Sequence, residues 1–163
     1  MWQELHKYKE QDLHQAPPQG GWSAAQVIQH LYLAEMGSWQ AVEKKLLSST
    51  AIPQGTAQNR INSLKLTFFL RLPLRYKAPK VVGTKTIDKA LQEVNSSAEI
   101  KDQWQDLRQQ MTDQLENLSG ETFKTALYRH PLIGYLTLAG MLRFFYEHQR
   151  RHFQQTRRVL QQL

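Results

Sequence analysis

The stretch Ser96-Ser97-Ala98-Glu99-Ile100-Lys101-Asp102-Gln103-Trp104-Gln105-Asp106-Leu107-Arg108-Gln109-Gln110-Met111-Thr112-Asp113-Gln114-Leu115 carries the clearest periodicity in the chain. Its apolar residues Ile100, Trp104, Leu107, Met111 and Leu115 recur at intervals of four, three, four and four, which is one face of an α-helix. Ser96 and Glu99 have the form of a capping box at its start, and Ser119-Gly120 marks its end.

The same logic extends in both directions. Upstream, Ser23-Ala24-Ala25-Gln26 offers a second capping box, and Val27, Leu31, Ala34 and Val42 mark one face of a helix running to about Leu47. Before it, Leu5, Tyr8 and Leu13 predict one short helix, closed off by Ala16-Pro17-Pro18-Gln19-Gly20-Gly21. Ser48 to Gln58 reads as a connection. Ile61, Leu64, Phe68 and Leu72 then give a further helix with an apolar stripe, stopped by Pro73. Leu74 to Thr84 is an irregular basic loop, and Ile87 to Val94 a short helix. Downstream, His130-Pro131-Leu132-Ile133-Gly134 is a turn or loop, and Thr137 caps a last helix reaching nearly to Leu163. Four substantial amphipathic helices with modest connections predict an all-α four-helix bundle, in one domain over residues 1–163. No internal repeat or low-complexity segment interrupts it.

Composition narrows the chemistry. With no cysteine among the 163 residues, disulfides and thiolate ligands are excluded, so any metal must be held by His, Asp or Glu. The absence of a long uncharged apolar run argues against a membrane span, and the start of the chain does not read as a signal peptide, so a cytoplasmic protein is expected. The formal charge of +7 favours anionic partners. The cations are dispersed, from Lys44-Lys45 through Arg71 and Arg75 to Arg150-Arg151 and Arg157-Arg158, with no interleaved aromatics. That pattern does not favour nucleic acid.

The last helix holds the strongest chemical signal. Read at helical spacing it presents Met141, Phe145, His148, His152 and Val159, so imidazoles stand where aliphatic side chains would be expected. Residues four apart share a face with β-carbons roughly 6 Å apart, and both rings can meet one divalent ion. The bland reading is a pair of surface or hydrogen-bonded core histidines. His30, one turn beyond Val27, borders the inward face of its own helix and taken alone is a satisfied core histidine. Together His30, His148 and His152 make a three-nitrogen set with positions left open, the catalytic rather than the structural arrangement. His6 and His14 read as solvated, and His130 as a turn residue, or one that supports a ligand from behind, rather than a ligand. Glu35 and Glu147 could orient water or an imidazole, although glutamates at such positions usually solvate a helix. Trp22 could staple the entrance of the helix that Ser23 caps. No Ser-His-Asp order, phosphate loop or carboxylate pair stands out.

Gly21-Trp22-Ser23-Ala24-Ala25-Gln26-Val27-Ile28-Gln29-His30-Leu31 near the start resembles the DinB-like superfamily. So do His130-Pro131-Leu132-Ile133-Gly134-Tyr135-Leu136-Thr137 and Glu147-His148-Gln149-Arg150-Arg151-His152 at the end, with Tyr76-Lys77-Ala78-Pro79 similar to its middle segment. That superfamily includes proteins described as metal-dependent hydrolases and as bacillithiol transferases. The resemblance implies a four-helix bundle whose divalent metal, nickel or zinc, is held by three histidines, here His30, His148 and His152. It also implies a small-molecule substrate, a low-molecular-weight thiol as cofactor and a homodimer. The first helix is shorter than the resemblance implies, as though Met1 fell partway along it. Three functions follow as expectations: a metal-dependent transferase or hydrolase, a non-catalytic metal-binding or stress-response module, and, with least support, a nucleic-acid binder.

Overall fold

A computed structural model describes residues 1–48, 53–72 and 89–163. Four long helices dominate it: α3 (Ala24–Leu47), α4 (Ala57–Arg71), α5 (Ser97–Glu116) and α6 (Leu138–Leu160). They are preceded by the short helices α1 (Trp2–Leu5) and α2 (Glu10–His14). Helix α6 packs along both α3 and α4, and α5 completes the bundle against α3. No described helix is long and apolar enough to cross a membrane.

The capping chemistry read from sequence is present. Ser23 accepts from the Gln26 amide while Gln26 reaches back to the Ser23 backbone, and Ser96 and Glu99 do the same at α5. Thr137 Oγ1 accepts from the Gly140 amide at the start of α6. A third box, Thr56 with Asn59, starts α4; it uses Asn where the familiar pattern has Glu or Gln, so the sequence reading passed over it. Leu72, which precedes Pro73, is extended with ψ 136°, the conformation a following proline favours.

Three expectations need correction. The single N-terminal helix is two short ones, α1 and α2, because the chain turns at residues 6–9 before Lys9 opens α2. The turn or loop expected at His130–Gly134 is a turn, but it joins two unexpected strands, β1 (Tyr128–His130) and β2 (Gly134–Leu136), in a small antiparallel hairpin that pairs Tyr128 with Leu136 and His130 with Gly134. Gly134 takes φ 83°, which a residue with a β-carbon rarely adopts. A 3₁₀ turn at Thr122–Lys124 precedes it. Of the short helix expected over Ile87 to Val94, residues 87 and 88 lie outside the described residues, 89 and 90 are helical, and the chain turns at 91–92. The loop from Leu74 to Thr84, with Tyr76-Lys77-Ala78-Pro79, also lies outside them.

The third correction concerns α4. Its apolar stripe faces solvent: Ile61, Leu64 and Phe68 are 43%, 60% and 67% exposed. The buried face is Asn59, Leu66 and Thr67. Polar side chains can be buried there because each is satisfied locally. Asn59 Nδ2 donates to the Tyr135 carbonyl at 3.0 Å, Ser63 Oγ to the Asn59 carbonyl at 3.0 Å, and Thr67 Oγ1 to the Ser63 carbonyl at 2.9 Å. Small side chains also let α4 approach α6 closely. A β-carbon at Gly140 would fall inside contact distance of Ser63 Oγ.

The core divides into two clusters. One joins Trp39, Val42, Leu66, Met111, Met141 and Phe145 near the hairpin. The other joins Leu13, Ile28, Leu31, Ile100, Trp104 and Val159 at the opposite end. On α6 the interval between Phe145 and Val159, where neither cluster claims a residue, holds His148 and His152.

Candidate metal centre

Helix α6 places His148 and His152 one turn apart on its inward face, and α3 brings His30 opposite them. The ring centroids stand 4.5 Å apart for His148–His152, 5.4 Å for His30–His148 and 5.1 Å for His30–His152. One nitrogen from each ring can be chosen so that all three lie within 4.8 Å of one another. Each ring is half-buried. Among the described residues no carboxylate joins the group.

The surroundings fix the rings. His152 Nδ1 donates to Gln155 Oε1 at 2.8 Å, which leaves the Nε2 lone pair for another partner. Phe144 stacks on His148 at 5.0 Å. Trp22 lies against His30, with ring centroids 5.0 Å apart and planes inclined at 50°. Its position follows from Gly20 and Gly21, whose φ values of 79° and 111° only glycine takes readily. His30 Nδ1 is buried with no hydrogen-bond partner. An imidazole nitrogen left so is costly, and three imidazoles facing one point are a donor set that a divalent ion fits.

Burial holds the imidazoles neutral. It lowers His30 to about 3, with the nearby His152 adding to the effect. It also lowers His152 to about 4, with the Arg151 charge in support, and His148 well below the usual 6.5, with His152 and His30 adding to the effect. In the metal-free protein the unfolded chain therefore binds more protons than the folded one below 6.5. Stability is intact above that pH and is lost as pH falls towards about 4. Urea midpoints of metal-free protein should drop steadily between pH 6.5 and 4, and less so for His148→Leu. Parallel slopes for the two would contradict the assignment.

The other described histidines stand outside the group. His14 is exposed and pairs with Glu10 at 2.9 Å. His130 is buried in β1, where its Nδ1 accepts from the Leu132 amide at 3.2 Å and caps the hairpin turn. The Phe144 ring, 4.9 Å from His130 and stacked on His148, stands between His130 and the group.

The two glutamates do something else. Glu35 is buried and takes Arg108 Nε at 2.8 Å and Nη2 at 2.9 Å, clamping α3 to α5. Glu147 is buried and takes Arg71 of α4, at 2.8 Å from Nε, and Arg150 at 3.3 Å. The Arg71 guanidinium holds the Glu147 carboxyl below its usual range. Both carboxylates tie helices together, and neither hydrogen-bonds an imidazole of the group. Gln155, three residues beyond His152, is the orienting residue the sequence reading missed; its i,i+3 spacing was the available signal.

The sequence profile of the DinB superfamily matches residues 1–156. The chain therefore belongs to the DinB superfamily, and its helical architecture is that of an all-α DinB-like bundle. Neither a curated protein nor a solved structure matches it.

Proposed function

We propose that this chain is a metal-dependent enzyme, a transferase or hydrolase acting on a small electrophilic substrate. His30, His148 and His152 hold one divalent ion, nickel or zinc, within a single domain spanning the chain. The observation that carries the reading is the convergence of three neutral imidazoles, one with a buried, unpartnered nitrogen. Three ligands leave coordination positions open, and an ion so held activates bound water or stabilises a thiolate. Gln155 keeps His152 in the tautomer with a free Nε2. Trp22 and Phe144 shield the rings from bulk water on two sides. A low-molecular-weight thiol is the proposed co-substrate, and the cytoplasm the proposed compartment.

A rival reading has its own support. Glu35 and Glu147 are both held by arginines, so neither serves as a general base. That arrangement suits a non-catalytic metal-binding or stress-response module. Screening thiols against electrophiles separates the two. Turnover that requires both metal and thiol supports the enzyme, and metal-loaded protein inert with every thiol and with water supports the module.

The exposed stripe Ile61, Leu64 and Phe68 on α4 supports a homodimer through that face. Sedimentation should give twice the chain mass, and Phe68→Asp should return it to the monomer. A monomeric parent protein would end that reading.

A further inference from the structure

Beside His152 a cleft of about 330 Å³ opens between the Gly20-Gly21-Trp22 segment and the last turns of α6. The α6 wall carries Arg151, Gln155 and Arg158, and no carboxylate lines the cleft among the described residues. A second, smaller cavity of about 90 Å³ shares Arg151 and Arg158 with it and adds Arg71 and Arg150. Across that joint wall, among the described residues, four guanidiniums stand against one carboxylate, Glu147, which Arg71 and Arg150 already engage.

The two shared arginines are held differently. Arg151 is half-buried and its Nη1 donates to the carbonyls of Leu70 at 3.3 Å and Leu72 at 3.0 Å. Those contacts hold it in place. Arg158 is exposed, and its side chain makes one hydrogen bond, from Nε to the Gln154 carbonyl at 3.1 Å. Its two terminal nitrogens make no hydrogen bond among the described residues, and Arg158 lines the cleft. A guanidinium with free donors, in a concave wall of one sign of charge, recognises a planar or tetrahedral oxyanion in bidentate fashion. Within the chain's +7 this is a place where positive charge, concavity and the histidine group coincide.

The geometry points to an anion-binding subsite in which Arg158, on the α6 wall of the cleft, takes the carboxylate or phosphate of a small molecule whose other end reaches the three histidines. The second half of that statement rests on the metal-enzyme reading; the anion site itself does not. Arg158 is a positioning residue for such a ligand and takes no part in bond making.

Calorimetric titration of the purified full-length chain with succinate and with inorganic phosphate tests it and tells a carboxylate source from a phosphate source. At least one should bind, more weakly as salt rises, and Arg158→Ala should weaken it about tenfold with metal content unchanged. Arg158→Lys, which keeps the charge without the fork, should fall between. His148→Ala should lose metal and keep the anion affinity, so failure of the metal reading leaves this result standing. No binding of either probe, affinity indifferent to Arg158→Ala, or affinity lost with the metal in His148→Ala would each overturn the subsite.

Discussion

Alanine at His148 is expected to strip the purified protein of its metal, from about one divalent ion per chain to almost none. Elemental analysis of untagged protein reads this directly and names the ion as well. The effect should be large because His148 supplies one of three ring nitrogens and lies 4.5 Å from His152 and 5.4 Å from His30. Removing it leaves two imidazoles on opposite helices, and two ligands seldom retain an ion against washing. His130→Ala is the control. That ring is also buried, but Phe144 stands between it and the group and its Nδ1 is engaged by the hairpin turn, so metal content should stay at the parent level. Gln155→Ala should lie between, with affinity reduced about tenfold, since it loses only the contact that orients His152. Full occupancy in His148→Ala would defeat the three-histidine assignment.

Arg108→Ala should destabilise the bundle by about 2–3 kcal/mol, the low end for a broken buried ion pair because Arg108 itself is 44% exposed. At this chain length that lowers Tm by about 4–12 °C. Glu35 is only 6% exposed, and both its oxygens are taken by Arg108. Without the guanidinium its carboxylate would be left without its partner inside the bundle. Arg108 also lies over the Trp104 ring at 4.9 Å, and that packing is lost too. Replacing both partners, Glu35→Met with Arg108→Leu, should recover most of the loss, because no charge is then left unpaired. A single variant within about 0.5 kcal/mol of the parent would show that the clamp contributes nothing, as many partly exposed pairs do.

These outcomes depend on features that were unequally visible beforehand. The pair His148 and His152 could be read from its spacing alone, since i and i+4 share a face whatever the helix packs against. His30 could be placed on an inward edge, but its meeting with the pair depends on how α3 crosses α6, which no local pattern encodes. Gln155 and Trp22 became meaningful only once the rings they touch were located. Glu35 and Glu147 were read as candidates near the chemistry. Their arginine partners lie 73 and 76 positions away, so the clamp they form was invisible in any window.

Helix α4 shows the limit most clearly. Periodicity found the helix and its apolar stripe, but the structure turns Asn59, Leu66 and Thr67 inward instead. Spacing reports which residues share a face, and cannot report which face a neighbour covers.

By itself, then, the order of residues determined the helical class, the caps that start α3, α5 and α6, and the i,i+4 imidazole pair. All of these arise from interactions within a few residues along the chain. Only the tertiary structure decided which face of α4 is covered, that α3 delivers His30 to that pair, and that arginines from α4 and α5 neutralise the buried glutamates. Each of these depends on the packing of helices distant in sequence, where close approach, satisfied polar groups and charge pairing are settled together.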